Sequence, residues 1–206
     1  MHLIYNKCVD FVSYMIYINL RQGAYMMPNN LFNEVHKYEV FDAYDIDENK
    51  LDIDIVRGQT HDEGLYHIVV EIITVNEKNQ ILVTKRHERK NYPLYWEITG
   101  GSILKGEDTL LGAKRELEEE TGIHSDQFNL LYKTVEHDAL FRGLLTTVSH
   151  PNITLQVDET IDYQWVDACD FIEFINQDDF IPTTRRRIQN AWHVIEPILF
   201  KNEPCW

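Results

Sequence analysis

The sequence predicts an α/β (α+β) fold in which a mixed β-sheet is flanked by helices. Three observations carry this expectation. Residues 67–75 (HIVVEIITV) form a nearly continuous β-branched run, and residues 81–85 (ILVTK) return after a short polar turn, as neighbouring buried strands do. Between residues 108 and 121 the apolar period lengthens to that of a helix, with Leu110, Ala113 and Leu117 in one stripe. Strand-like and helix-like segments then follow to the end of the chain without an internal repeat.

Taken in order, residues 1–35 are Tyr- and Met-rich and read as an N-terminal extension. Residues 36–206 read as one domain with a C-terminal helix. Within the extension, residues 9–20 (VDFVSYMIYINL) are the one candidate targeting segment. They fall short of the ~20 apolar residues of a membrane span. They also lack the basic run and small-residue cleavage site of a signal peptide. The protein is therefore expected in the cytoplasm, off the membrane. Residues 8–20 are apolar enough to need cover, either against the sheet or against a second subunit in a homodimer.

The organised part opens near residue 38 with KYEVFDAYD and a polar turn at residues 47–50, the pattern of a hairpin. After the strands at 67–75 and 81–85, residues 96–99 lead into Gly100 and Gly101, read as a turn. Gly122 ends the central helix in the usual C-terminal manner. Residues 128–135, 143–148 and 163–166 read as strands, and 168–175 and 184–200 as helices. Arg185, Arg186 and Arg187 are expected to decorate the last helix. Arg142 carries no signal. His67, beside an apolar run, reads as a packed or hydrogen-bonded residue.

Composition narrows the function. The 206 residues hold 34 acidic and 19 basic side chains, a net charge of −15, with 44% apolar and 26% charged residues. These proportions are near globular averages and exclude a disordered chain, a collagen-like chain and a small disulfide scaffold. The acidic balance argues against a long nucleic-acid partner, which draws on a field of Lys and Arg. A small anion still binds where cations cluster or a metal supplies charge. Cys8, Cys169 and Cys205 are widely spaced, without zinc-finger spacing, and are expected to be free or buried thiols of a reducing compartment.

The chemistry lies in residues 101–123, GSILKGEDTLLGAKRELEEETGI. On a helix Glu116, Glu119 and Glu120 share one face. Like charges at that spacing destabilise a helix, so three converging carboxylates call for another use. Hard divalent cations take oxygen ligands, and Mg²⁺ ions so held would bind a diphosphate and acidify water. Arg115 has the rigid fork to pair with a carboxylate and orient it. The complete pattern is G-x5-E-x7-R-E-U-x-E-E-x-G-U, with U apolar. It is met at Gly101, Glu107, Arg115, Glu116, Leu117, Glu119, Glu120, Gly122 and Ile123, a chance match on the order of 10⁻⁷.

This pattern is the Nudix box, and the chain resembles the Nudix hydrolase superfamily. The resemblance implies an α/β/α sandwich and Mg²⁺- or Mn²⁺-dependent cleavage of a small-molecule diphosphate, in a nucleoside diphosphate linked to another moiety or in a nucleotide. It implies Glu116, Glu119 and Glu120 as metal ligands, Glu116 also as general-base candidate, and Arg115 with Glu107 as the supporting ion pair. The carbonyl of Gly100 matches a backbone ligand of several members. For a further carboxylate outside the box Glu159 fits best, with Glu136 and Asp138 as rivals.

Residues 38–103 are similar to the branch related to isopentenyl-diphosphate isomerases. Those isomerases need a Cys after the Trp that aligns with Trp96, and WEITGGS has none. Hydrolysis is therefore favoured over an isomerase-like activity. A non-catalytic nucleotide-binding regulator is a third reading, although no box carboxylate is lost. Lys85, Arg86, Arg89 and Lys90 form the densest basic patch before the box, either a solvated loop or a cationic rim for phosphates. Lys85 and Arg86, with Trp96, are the candidate substrate contacts.

Because the resemblance starts near residue 38, deleting residues 1–25 is expected to leave the site and core intact. A thermal melt, gel filtration and hydrolysis rate on the truncated chain check this. A fall in Tm beyond about 8 °C would assign the segment more than the ~2 kcal/mol of a loosely attached extension.

Overall fold

The computed structural model describes residues 39–200. The expectations for residues 1–35 lie outside them.

Strands β1 (Val40–Tyr44) and β2 (Lys50–Val56) form an antiparallel hairpin. Its turn is closed by Asp45, whose carboxylate accepts from the Asn49 backbone and side-chain nitrogens, both at 2.9 Å. Such local side-chain bonds are what make Asp and Asn turn formers. The main sheet contains β3 (His67–Asn76), β4 (Gln80–Arg86), β5 (Trp96–Glu97), β6 (Thr99–Ser102), β7 (Asn129–Glu136), β8 (Ala139–Val148) and β9 (Thr160–Asp167). Its path is β5-β4-β3-β8-β7, with β6 on β3 and β9 on β4. Only β3 and β8 run parallel, from His67↔Ala139 to Asn76↔Val148. The sheet is therefore mixed, as expected. Helix α1 (Thr109–Thr121) belongs to the long connection between these two strands, and α2 (Phe171–Ile175) and α3 (Pro182–Leu199) follow the last strand.

Alternation along the strands builds two cores, one on each face. Ile68, Val70 and Ile72 of β3 join Leu82, Leu140 and Leu144, and meet Ala113 and Leu117 of α1. Ile73 and Val75 join Ile81, Val83 and Leu145, and meet Phe171, Ile175, Ile188 and Ile195 of α2 and α3. The result is the helix–sheet–helix sandwich.

Several local expectations need correction. Gly100 and Gly101 lie within strand β6, not in a turn, paired with Glu71 and Val70 of β3. Leu110 is exposed. It shares the face of Ala113 and Leu117, but it lies in the first turn, and packing begins at Gly112, against which Ile103 is seated. Cys169 is disulfide-bonded rather than a free thiol. Arg142 is buried and pairs with Glu48 at 2.8 Å, where Lys133 also reaches Glu48 at 2.6 Å, fixing the β1–β2 turn to β7 and β8.

The largest correction concerns Arg187. It does not decorate α3 but lies on its inner face beside Thr184, Ile188 and Ala191, all buried. A buried guanidinium needs partners, and Glu71 of β3 provides them. Arg187 Nε and Nη2 donate to Glu71 at 2.8 and 2.6 Å, and Nη1 donates to Glu136 at 2.6 Å. The Tyr132 hydroxyl also donates to Glu71, at 2.8 Å, and the guanidinium lies 3.8 Å over the Phe141 ring. Arg186 pairs with the other Glu136 oxygen at 2.9 Å.

Arg187→Met leaves Glu71 as an uncompensated buried charge, so it should cost roughly 3–5 kcal/mol. The Tm should fall by about 6–20 °C. Adding Glu71→Gln should recover part of that loss in a thermal melt, because it removes the stranded charge.

Candidate active site

Helix α1 is well bounded. The Asp108 carboxylate accepts from Leu111 N at 2.8 Å as its N-cap. Gly122 ends it in the left-handed region at φ 71°, its N–H donating to Glu118 O. Between these ends the box residues gather around Arg115. Its Nε and Nη2 donate to the two oxygens of Glu107 at 2.8 and 2.9 Å. Its Nη1 donates to Glu116 Oε1 at 2.8 Å and Glu119 Oε2 at 3.1 Å, and Nη2 also reaches the Ser102 carbonyl at 3.0 Å. Glu107 Oε2 additionally accepts from Leu104 N at 3.0 Å. One guanidinium thus joins the loop before α1, the helix itself and strand β6.

Gly101 explains its own identity. A Cβ there would stand 2.3–2.4 Å from the Glu116 carboxyl atoms. Only glycine lets that carboxyl lie against the β6 backbone.

Glu120 points inward, only 2% exposed. Its Oε2 is buried without a hydrogen-bond partner, and its Oε1 lies 3.6 Å from Lys90 Nζ. Lys90 Nζ also contacts Glu159 Oε2 at 3.1 Å and stands 4.0 Å from Glu97 Oε1. The other Glu97 oxygen accepts from Arg86 Nη1 at 2.6 Å, and Arg86 Nε donates to the Asn91 carbonyl at 2.7 Å.

The structure thus brings together Glu107, Arg115, Glu116, Glu119, Glu120, Glu159 and Arg86, with Gly100 in the adjoining strand. Of the three rivals outside the box, Glu159 is the one in contact with the cluster. Glu136 is taken by Arg186 and Arg187, and Asp138 faces His61 at 3.1 Å. Lys85 and Trp96 are not brought to the carboxylates. Lys85 lies over the Trp96 ring at 5.1 Å, and Trp96 packs edge-on to Phe174 at 5.8 Å in the core under α2 and α3. His67 is stacked on Phe41 at 4.9 Å, and burial lowers its pKa.

Glu97 and the inward turn of Lys90 escaped the sequence reading. A signal was available in Glu97 itself, a lone carboxylate between Trp96 and Ile98 with Arg86 and Lys90 a short loop away.

Six carboxylates (Glu97, Glu107, Glu116, Glu119, Glu120, Glu159) here face three cations (Arg86, Lys90, Arg115), a difference of three. Burial pushes Glu116 up to about 7, against the opposing pull of Arg115 and with added repulsion from Glu119 and Glu159. Burial also raises Glu119 and Glu97, and raises Glu120 well above the ordinary range. Lys90 stays charged, since Glu120, Glu159 and Glu97 overcome its own desolvation. Among the described residues no three ligating side chains form a ready-made metal cage, because Arg115 and Lys90 stand between the carboxylates. The donor set nevertheless fits a hard divalent cation: all oxygen, in excess negative charge, with one buried Glu120 oxygen unsatisfied.

Comparison with known proteins agrees with this geometry. The family model described as the NUDIX domain matches residues 65–188. An uncharacterised Nudix hydrolase of Listeria innocua is 33% identical over 133 residues, spanning 62% of this chain and 79% of that protein. A crystal structure of a Deinococcus radiodurans protein has the same fold, with TM-score 0.62 at 15% identity over 75% of this chain and 99% of that one. A bifunctional NMN adenylyltransferase/ADP ribose pyrophosphatase from Francisella tularensis, complexed with AMP and a Mn ion, gives TM-score 0.50 at 18% identity. That match covers 62% of this chain and 41% of the other. Among the described residues no helix is long and apolar enough to cross a membrane.

A carboxyl group with a higher pKa folded than unfolded binds more protons when folded, so stability falls as pH rises between the two values. For Glu116 that window runs from 4.5 to about 7. In metal-free buffer the Tm should therefore drop from about pH 5 to about pH 7.5, and Glu116→Gln should flatten the drop. Added Mn²⁺ should raise the Tm more at the higher pH, because its ligands bind deprotonated. Thermal melts across pH check all three.

Proposed function

The chain belongs to the Nudix hydrolase family, and from that premise we propose that it is a metal-dependent pyrophosphohydrolase. It cleaves a diphosphate linkage in a nucleoside diphosphate-X compound or a nucleotide. The observation that carries this reading is the buried, unpartnered Glu120 oxygen inside a carboxylate cluster that Arg115 has already oriented. Glu116, Glu119 and Glu120, with the Gly100 carbonyl and Glu159, would hold Mg²⁺ or Mn²⁺. When bound, the cation neutralises the substrate's diphosphate and makes water more acidic.

The chain's own residues do the rest. Glu107 fixes the Arg115 fork, and Arg115 fixes Glu116 and Glu119. Glu116, held by Arg115 Nη1, is the residue that would serve as base toward attacking water. Arg86, paired with Glu97 beside the cluster, is the cation that would contact the substrate phosphate. Lys85 and Trp96 lie apart from the carboxylates, Lys85 over the Trp96 ring and Trp96 edge-on to Phe174, and are not part of the proposed phosphate contact. The isomerase-like alternative lacks support, since residues 96–102 hold no Cys. A cytoplasmic setting suits a nucleotide substrate, although the Cys169 disulfide does not itself argue for a reducing compartment.

A panel of nucleoside diphosphate-X compounds, nucleotides and isoprenoid diphosphates, run in oxygen-18 water, tests the proposal. Hydrolysis should require Mg²⁺ or Mn²⁺, stop with EDTA, and place one heavy oxygen in a phosphate product. Glu120→Gln should lower kcat by about 10³ while the protein stays folded. Turnover in metal-free buffer, or a loss of tenfold or less in Glu120→Gln, would overturn the mechanism.

A further inference from the structure

Glu97, Glu120 and Glu159 already enclose a cation, and that cation belongs to the chain. Lys90 comes from the loop between β4 and β5, outside the box, yet its side chain is only 16% exposed. Its ammonium stands 3.1 Å from Glu159, 3.6 Å from Glu120 and 4.0 Å from Glu97. An ammonium has three donors and no acceptor, so three surrounding carboxylates are its natural complement.

Glu120 and Glu159 are also the carboxylates that the proposed metal site would use beyond Glu116 and Glu119. Occupancy by the two cations is exclusive. Mg²⁺ draws oxygens to about 2.0–2.1 Å, while an ammonium in the same space repels it at low effective dielectric. The two oxygens nearest Lys90 come from separate elements, Glu120 on α1 and Glu159 just before β9. Lys90 thus links the two carboxylates, beside the backbone bonds that already join their segments at Thr154–Thr121 and Gln156–Glu120.

The loop that delivers Lys90 is anchored and strained. Arg86 grips the Asn91 carbonyl at 2.7 Å while paired to Glu97. Tyr92 and Leu94 then adopt φ of 53° and 63°, in the left-handed region that side chains other than Gly, Asn and Asp rarely enter. Strain of this kind persists only where the surroundings over-determine it. Here the surroundings include the ion contacts on both sides of Asn91.

We infer that Lys90 is a resident counter-cation that competes with a divalent metal for the Glu97–Glu120–Glu159 part of the site. In the free protein, metal binding is confined to the Glu116–Glu119 side, and the remaining position opens only when the ammonium leaves. Lys90 is in this sense a positioning residue, acting through the carboxylates. The inference rests on the proposed metal site and adds an order of filling to it.

Mn²⁺ itself is the probe, with binding measured by calorimetry and by electron paramagnetic resonance of free Mn²⁺, in the full chain without substrate. Lys90→Met should bind one more equivalent of Mn²⁺ than the wild type, or bind Mn²⁺ about tenfold more tightly or better, and Lys90→Arg should behave as wild type. Equal stoichiometry and affinity in wild type and Lys90→Met would overturn the inference while leaving the metal site standing. No Mn²⁺ binding by either protein would overturn both. Should Lys90→Met fail to fold, the wild type decides. With ¹⁵N-labelled lysine, the Nζ resonance missing from Lys90→Arg should shift or begin exchanging rapidly as Mg²⁺ saturates the site. A resonance unchanged at saturation overturns the inference.

Discussion

Glu107, Glu116 and Glu119 could not share one corner of the fold without the guanidinium of Arg115. Its five hydrogen bonds end on three carboxylates and one carbonyl, which uses the whole donor capacity of the fork. A lysine would supply the charge but not the planar geometry. Because the partners sit on the loop before α1, on α1 and on β6, this one side chain fixes the helix relative to the strand that carries Gly100 and Gly101. Gly101 completes the arrangement by leaving room for the Glu116 carboxyl.

The sheet separates chemistry from mechanical support. On the α1 face, carboxylates outnumber cations, and burial raises the proton affinity of Glu97, Glu116, Glu119 and Glu120. On the opposite face the charges of Glu71, Glu136, Arg186 and Arg187 form a paired network that ties α3 to β3 and β7. The two meet through the backbone, since Glu71 stands opposite Gly100 in the β3–β6 register. The strand segment beside the carboxylates is thus held from behind by a buried ion pair. Such a pair is weak evidence of net stability, but breaking it leaves a charge with nowhere to go.

The region before the box supplies the cations. Arg86 and Lys90 descend from β4 and its loop onto Glu97, Glu120 and Glu159, and neutralise part of the excess charge. The box by itself is therefore an incomplete description of the site. Its electrostatic balance depends on a loop that no box position specifies.

The sequence alone determined the elements and the box. The period of residues 108–121 makes a helix, its spacing puts Glu116, Glu119 and Glu120 on one face, and β-branched runs make the central strands. These are local properties, governed by residues within a turn or a strand of one another. Tertiary structure alone decided which distant charges meet. Lys90 reaches Glu159 across 69 positions and Arg187 reaches Glu71 across 116, whereas the sequence reads Lys90 as part of a solvated loop or cationic rim and Arg187 as a decoration of the last helix. Nothing near Lys90 in the chain foretells Glu159, and nothing near Arg187 foretells Glu71. Strand order and register bring the pairs together, and burial makes the pairing obligatory because an unpaired charge away from water costs too much to persist.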